Sequence, residues 1–197
     1  MKRFKEKIIK GFVCFYQDEK FLEISEKVID EKYKVLERYK DDGRTFVALV
    51  EIDGVKYILK EFQKESRSLW KRLLTFFNGG EAYTVFRNTE GIKAFGIDEV
   101  TNVYSAIIKK RFGTVIKSYI LMEYIPGEIR LDQAAIEEIE KLMNRLHSLK
   151  IYHGDCNPYN FLFLDDKKIK IIDSKLKKDY IGNRIKHDRK TLKKYIR

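Results

Sequence analysis

His153 to Phe163 read HGDCNPYNFLF. Asp, Gly, Asn and Pro each favour turns, by permitting unusual backbone angles or by hydrogen-bonding to the nearby main chain. That accounts for the composition of the stretch but not for its order. Asp155 and Asn160 stand five residues apart, straight after a helical pattern and straight before the apolar run Phe161 to Leu164. Asp173 closes a second strand-like run, IKIID, thirteen residues beyond Asn160.

The flanking elements give this order a meaning. Upstream, DQAAIEEIEKLMNRLHSLK places Ile136, Ile139, Leu142, Met143, Leu146 and Leu149 on one side, which predicts an amphipathic helix over 132–149. Downstream, FLFL and IKIID predict a hairpin turning at Asp165-Asp166-Lys167-Lys168. Such a hairpin returns Asp173 to Asn160, and the five-residue step sets Asp155 and Asn160 on one rim. A helix, then H-x-D-x-x-x-x-N, then a hairpin ending in Asp is the layout of a kinase catalytic loop and its metal-binding strand. Phosphoryl transfer calls for these residue types. Asp155 is the candidate catalytic residue beside the acceptor hydroxyl. Asn160 and Asp173 are the candidate ligands of a Mg²⁺ ion that bridges the phosphates of ATP. Taken singly, Asp155 and Asn160 read as turn formers, Asp173 as a strand-end cap and His153 as a packing residue. It is their joint order that points to chemistry.

Further pieces lie upstream. KVLERYKDDGRTFVALVEIDGVKYILKEF gives three strand-like runs, with Asp53-Gly54 a strong two-residue hairpin signal. Lys60 falls on the third run, among apolar neighbours, and is the candidate to grip the α- and β-phosphates. Read singly, it is a snorkelling strand lysine. VYSAIIKKRFGTVIKSYILMEYIPG predicts two more strands that end in a hinge. Backbone groups near Glu123, Tyr124 and Ile125 would there bind adenine. Glu81, opening a helix after Gly79-Gly80, is the candidate partner of Lys60, with Glu90 the alternative. Leu69, Leu73, Phe76 and Phe77 form an apolar stripe on a preceding helix. GFVCFYQDEKFLEIS reads as a short hairpin, and SEKVIDEKY as a helical turn or two. The tail carries Ile181, Ile185, Leu192 and Ile196 at helical spacing, an apolar stripe expected to pack on the body. The order predicts an α+β, two-lobed, protein-kinase-like fold. Residues 1–125 would form an antiparallel β N-terminal lobe, and residues 126–197 a small, mainly helical C-terminal lobe.

Composition bounds the rest. The chain has 197 residues, 44% apolar and 13% aromatic, enough for a buried core and against global disorder. No apolar stretch approaches the roughly 20 residues of a membrane-spanning helix. The start, MKRFKEKIIKGF, lacks the apolar region and cleavage site of a signal peptide. Cys14 and Cys156 give neither a disulfide framework nor metal-ligand spacing, so a reduced, cytoplasmic protein is expected. The net charge of +11 is concentrated at the ends: residues 1–10 hold five Lys/Arg against one Glu, and residues 175–197 hold ten against two Asp. Basic ends on a near-neutral body suit an anionic partner, though solvated helix faces give the same pattern.

With these residues in place, the chain resembles the lipopolysaccharide core heptose(II) kinases of the protein-kinase-like superfamily. The resemblance runs from about Tyr33 to Arg197. It includes VKYILKEF, the inserted helix RSLWKRLLTFFNGGEAY, YILMEYIPG and the basic NRIKHDRKTLKKYI. It implies ATP and Mg²⁺, and phosphorylation of a heptose hydroxyl of the lipopolysaccharide inner core or of another anionic lipid-linked sugar. It also implies a cytoplasmic protein with peripheral contact to an anionic membrane at the inner face of the inner membrane. Two features depart from kinase motifs. No G-x-G-x-x-G loop is present, only Gly43 between the first two strands. The usual D-F-G reads Asp173-Ser174-Lys175, with no A-P-E segment after it. A small atypical protein kinase and a non-catalytic pseudokinase or binding module are the competing readings. The missing IDFG continuation counts against the first, and retention of Lys60, Asp155, Asn160 and Asp173 against the second. No interleaved aromatic and basic stretch speaks for nucleic acid.

Overall fold

The computed structural model describes residues 4–64, 68–165, 168–173 and 176–195. It divides into two compact units, one of residues 1–90 and 102–124, the other of residues 91–101 and 125–197. The fold is α+β, with one large antiparallel sheet and several helices, as the order of motifs predicts.

The first unit is built on a seven-stranded antiparallel sheet in the order β1-β2-β6-β7-β5-β4-β3. Its strands are β1 (Lys5–Ile9), β2 (Phe12–Tyr16), β3 (Lys34–Asp41), β4 (Phe46–Ile52), β5 (Val55–Glu61), β6 (Val103–Arg111) and β7 (Thr114–Glu123). Three hairpins turn on two residues, Lys10-Gly11, Asp53-Gly54 and Phe112-Gly113, with φ positive at every one of these positions. Positive φ at both central residues is the backbone of a type I′ turn, whose twist matches that of the flanking strands.

The expected hairpin over 11–25 is not what forms. The hairpin lies earlier, β1 with β2, and Glu19–Ile29 is a full helix, α1. Asp18 stops the strand and caps that helix, its side chain accepting from Lys20 N–H at 3.1 Å. Phe21, Leu22, Ser25 and Val28 then repeat at helical spacing and bury against the sheet. Ser25 Oγ donates its one proton to Phe21 O at 2.6 Å, and so accepts from Ser105 Oγ on β6 at 2.8 Å. Cys14, on β2, is fully buried in this core.

Two further helices are α2 (Leu69–Asn78) and α3 (Glu81–Lys93). α3 buries Ala82 and Phe86 in a core shared with Ala106, Ile108, Val115 and Ile120. α2 behaves otherwise: Leu73, Phe76 and Phe77 of its stripe face solvent, and the side chain of Leu69 lies outside the described residues.

The second unit centres on α4 (Gln133–Ser148), capped by Asp132, whose carboxylate accepts from Ala135 N–H at 3.0 Å. Ile136, Ile139, Met143 and Leu146 bury its inner face, whereas Leu149 is exposed just past the helix end. Two small antiparallel pairs flank it: β8 (Ile151–Tyr152) with β11 (Lys177–Lys178), and β9 (Phe161–Phe163) with β10 (Ile169–Ile171). α5 (Asn183–Leu192) closes the described chain. It buries Leu192, but Ile181 is exposed because it precedes the helix, in the turn that Asp179 organises. Ile196 lies outside the described residues.

Candidate active site

The loop after β8 is held chiefly through its main chain. Pro158–Asn160 form one 3₁₀ turn, with Asn157 as its cap, accepting from Tyr159 N–H at 3.2 Å. Asn157 N–H donates to Asp155 O at 2.8 Å and Asn160 Nδ2 donates to the same oxygen at 2.9 Å. This second bond joins the two ends of the five-residue step. Because the amide N–H₂ of Asn160 is spent on Asp155 O, its amide oxygen is left as the group for a ligand. Ile172 N–H donates to Asn160 O at 2.9 Å, which brings the following residue, Asp173, to the same loop. Asp173 sits at φ 42°, a left-handed conformation that an Asp tolerates better than most residues. Asp155 and Asp173 are both exposed, and Cys156 and Phe161 between them in sequence are fully buried. The motif therefore alternates, with anchors inside and carboxylates outside.

His153 is one of the anchors. It is 0% exposed, stacks at a tilt on Phe161 with ring centroids 5.1 Å apart, and takes Asp155 N–H on Nδ1 at 3.3 Å. Burial holds its pKa down to about 4, against the opposing pull of Asp188, Asp155 and Asp173.

Asp188, on α5, was not singled out in the sequence, yet it fixes the loop. It is 0% exposed, and its carboxylate accepts from His153 N–H at 2.6 Å and Gly154 N–H at 3.0 Å. His147 Nε2 lies 3.4 Å away. Burial alone would raise the pKa of Asp188, but His147 and the two backbone donors bring it below the ordinary carboxylate range. A signal for it does exist. Position 188 is three after Ile185 and four before Leu192, so an acid stands on the apolar stripe of a basic helix. A buried acid there needs donors.

The residues expected to hold nucleotide lie mainly on the first unit. Lys60 is half-buried on β5, paired with Val47 on β4 and Ile120 on β7, and its Nζ stands 5.5 Å from the centroid of Phe62. Glu81 is exposed in the first turn of α3, near Lys64, whose pKa the neighbouring Lys71 holds below the ordinary lysine range against the smaller opposing pull of Glu81. Glu90, the alternative partner, gives its carboxylate to Gln17 Nε2. Glu123 ends β7, where its carboxylate accepts from Asn102 Nδ2 at 2.7 Å and its N–H donates to Asn102 O at 3.0 Å. An adenine contact at this residue would accordingly fall to its carbonyl. Tyr124 is the last residue of the first unit, and at Ile125 the chain re-enters the second. The turn around Gly43 is closed by Asp42, whose carboxylate accepts from Arg44 N–H at 2.9 Å and Thr45 N–H at 3.0 Å. Ser174 and Lys175 lie outside the described residues.

A large antiparallel sheet, a mainly helical second unit and a loop of this design together define a kinase-like protein. Residues 3–196 match the family described as lipopolysaccharide core biosynthesis protein (WaaY), and the chain belongs to that family. It is also 25% identical, over 171 residues, to the lipopolysaccharide core heptose(II) kinase WaaY of Escherichia coli, covering 83% of this chain and 74% of that one.

Proposed function

We propose that the protein is an ATP- and Mg²⁺-dependent kinase that phosphorylates a heptose hydroxyl of the lipopolysaccharide inner core, working in the cytoplasm and peripherally at the inner membrane. The observation that carries this reading is the pinned loop, with Asp155 exposed, Asn160 presenting its amide oxygen and Asp173 tied in beside it. The donor set suits Mg²⁺, which takes one or two protein oxygens and leaves the rest to phosphate and water. When bound, the ion would neutralise charge on the transferring phosphoryl group.

The roles of this chain's own residues follow. Asn160 and Asp173 hold the metal. Lys60 holds the α- and β-phosphates, and Glu81 holds Lys60. The backbone of Glu123, Tyr124 and Ile125 holds adenine. Asp155 accepts a hydrogen bond from the heptose hydroxyl and aims its oxygen in line with the γ-phosphorus. Such transfers pass through a loose transition state, so positioning counts for more than early deprotonation. The relative from Escherichia coli, named for the same chemistry, supports the choice of acceptor.

The test is transfer from ATP to purified inner-core lipopolysaccharide, followed by mass spectrometry. The wild-type protein should add one phosphate, and Asp173→Ala should abolish the addition while melting near the wild-type temperature. Transfer at the wild-type rate by Asp173→Ala would remove this residue from the site. Failure of the wild-type protein on a heptose-bearing core would dismiss the acceptor.

A further inference from the structure

α2 is mounted the wrong way round for a helix in water. Its polar side meets the sheet: Arg72 Nε donates to Thr114 Oγ1 at 2.9 Å, and Thr75 Oγ1 accepts from Val115 N–H at 2.8 Å. Thr75 is 1% exposed, the most deeply buried described side chain on the helix. Its apolar side points outward, with Trp70 72% and Phe77 86% exposed, and Leu73, Leu74 and Phe76 exposed beside them. Positions 70, 73, 74 and 77 fall on one helical face. The patch continues onto the tip of the β6–β7 hairpin, where Gly113 lies so close to the ring of Phe76 that a Cβ would come within 2.5 Å of it. Next to it, Phe112 is 85% exposed. Together these six side chains leave on the order of 700 Å² of apolar surface in water, beyond the 300–600 Å² of the largest patch on a typical monomer.

The hairpin tip adds an independent observation. Phe112 occupies the first central position of a type I′ turn at φ 51°, where Asn, Asp or Gly is favoured. A bulky residue with positive φ is an outlier whose strain needs a compensating use. Charge identifies the use. Lys71 and Arg72 flank the apolar face, and Lys110 and Arg111 lead into the tip, whereas Lys109 turns to the other face of the sheet, over the ring of Phe12. None of the four at the patch is matched by an acidic side chain at ion-pair distance among the described residues, and segments 68–78 and 109–118 contain no Asp or Glu. An aromatic and aliphatic face with these four cations beside it fits the boundary between the headgroups and acyl chains of an anionic bilayer.

We infer that α2 and the β6–β7 tip form the surface by which this protein docks on anionic lipid, with Trp70, Phe77 and Phe112 inserted among the acyl chains. The inference does not rest on the catalytic reading. It also moves the membrane contact from the basic chain ends to a face of the folded first unit.

Trp70 is the only tryptophan, so the full chain carries its own probe. Its emission should shift to the blue on mixed phosphatidylcholine–phosphatidylglycerol vesicles and be quenched by brominated lipid, but change little on phosphatidylcholine alone. Phe77→Asp should weaken vesicle partitioning roughly tenfold or more. Phe112→Asn should weaken it as well while raising the melting temperature, because Asn suits the turn; a merely structural Phe112 would make the protein less stable. Gln at Lys186, Arg189 and Lys190 of α5 should leave the blue shift in place. Emission unchanged by vesicles would overturn the inference, as would equal binding to neutral lipid. A blue shift that appears without lipid as protein concentration rises, together with a dimer in sedimentation that Phe77→Asp abolishes, would assign the face to a second copy instead.

Discussion

Asp155 and Asp188 are both aspartates of the second unit, and their surroundings give them opposite tasks. Asp155 shows its carboxylate to solvent and uses its carbonyl to hold Asn157 and Asn160. Asp188 shows nothing to solvent and uses its carboxylate to hold His153 and Gly154. Asp155→Asn keeps the size of the side chain and, through the carbonyl, the loop. Turnover should therefore fall by roughly 10²- to 10⁴-fold, the range for a lost positioned acid or base. ATP affinity, measured by calorimetry, should change little. Loss of nucleotide binding with undiminished turnover per bound nucleotide would make Asp155 a scaffold residue. His153 predicts a pH effect. The unfolded chain takes up a proton near the ordinary histidine pKa of 6.5, whereas the folded protein resists until about pH 4. The unfolded state binds more protons in that window, so stability falls as pH drops through it, by up to about 3 kcal/mol. Asp188 acts in the same direction at still lower pH, since its carboxylate must stay ionised to hold the loop. Urea midpoints taken between pH 7 and pH 5 should decline for the wild type and decline less for His153→Gln. Equal slopes would place the effect on another group.

At the scale of elements, α5 shows how one side chain sets a boundary. Asp179 Oδ1 accepts from Ile181 and Gly182 N–H at 3.3 and 2.9 Å, and Oδ2 from Arg184 and Ile185 N–H at 2.7 and 2.9 Å. Gly182, at φ 85°, has no side chain with which to cap the helix, so Asp179 does it from a distance. Asp179→Ala should destabilise the protein by about 2 kcal/mol, the upper end for a lost cap, and α5 amides should exchange hydrogen faster than those of α4. Equal protection of the two helices would show that packing of Leu192, not the cap, holds α5. Elements whose period and punctuation agree were legible in the sequence: α4, the three strands 34–61, and the Asp53-Gly54 turn. α1 was not, because FVCFY and FLEIS are both apolar and only Asp18 separates strand from helix. The spacing of α2 was legible but its orientation was not. Periodicity gives an apolar face, and whether that face turns inward depends on Thr75 meeting Val115, forty residues away.

For the whole molecule, the motif order carried the α+β class and the family, because both depend on sequence-local patterns placed in series. Asp155, Asn160 and Asp173 were legible for the same reason: one turn and one hairpin bring them together. Asp188 was not, because its role comes from a helix that folds back across thirty-five residues onto the loop. Charge at the two ends was visible, but the cations bordering the α2 face were not, since they are gathered from Lys71–Arg72 and Lys110–Arg111 by the sheet. Among the described residues no helix is long and apolar enough to cross a membrane.

Both thiols of the chain belong to cores, Cys14 in the first unit and Cys156 in the second. Burial pushes the Cys14 thiol up to about 12 and the Cys156 thiol higher still, so almost no thiolate exists at neutral pH. A disulfide-exchange reagent should titrate no fast-reacting sulfur in the native protein and two after denaturation; one rapid equivalent would mean that a core opens readily. The native molecule is in effect blank to maleimides, and a single cysteine introduced at an exposed position such as Phe77 would carry a spin label or dye without removal of the natural pair.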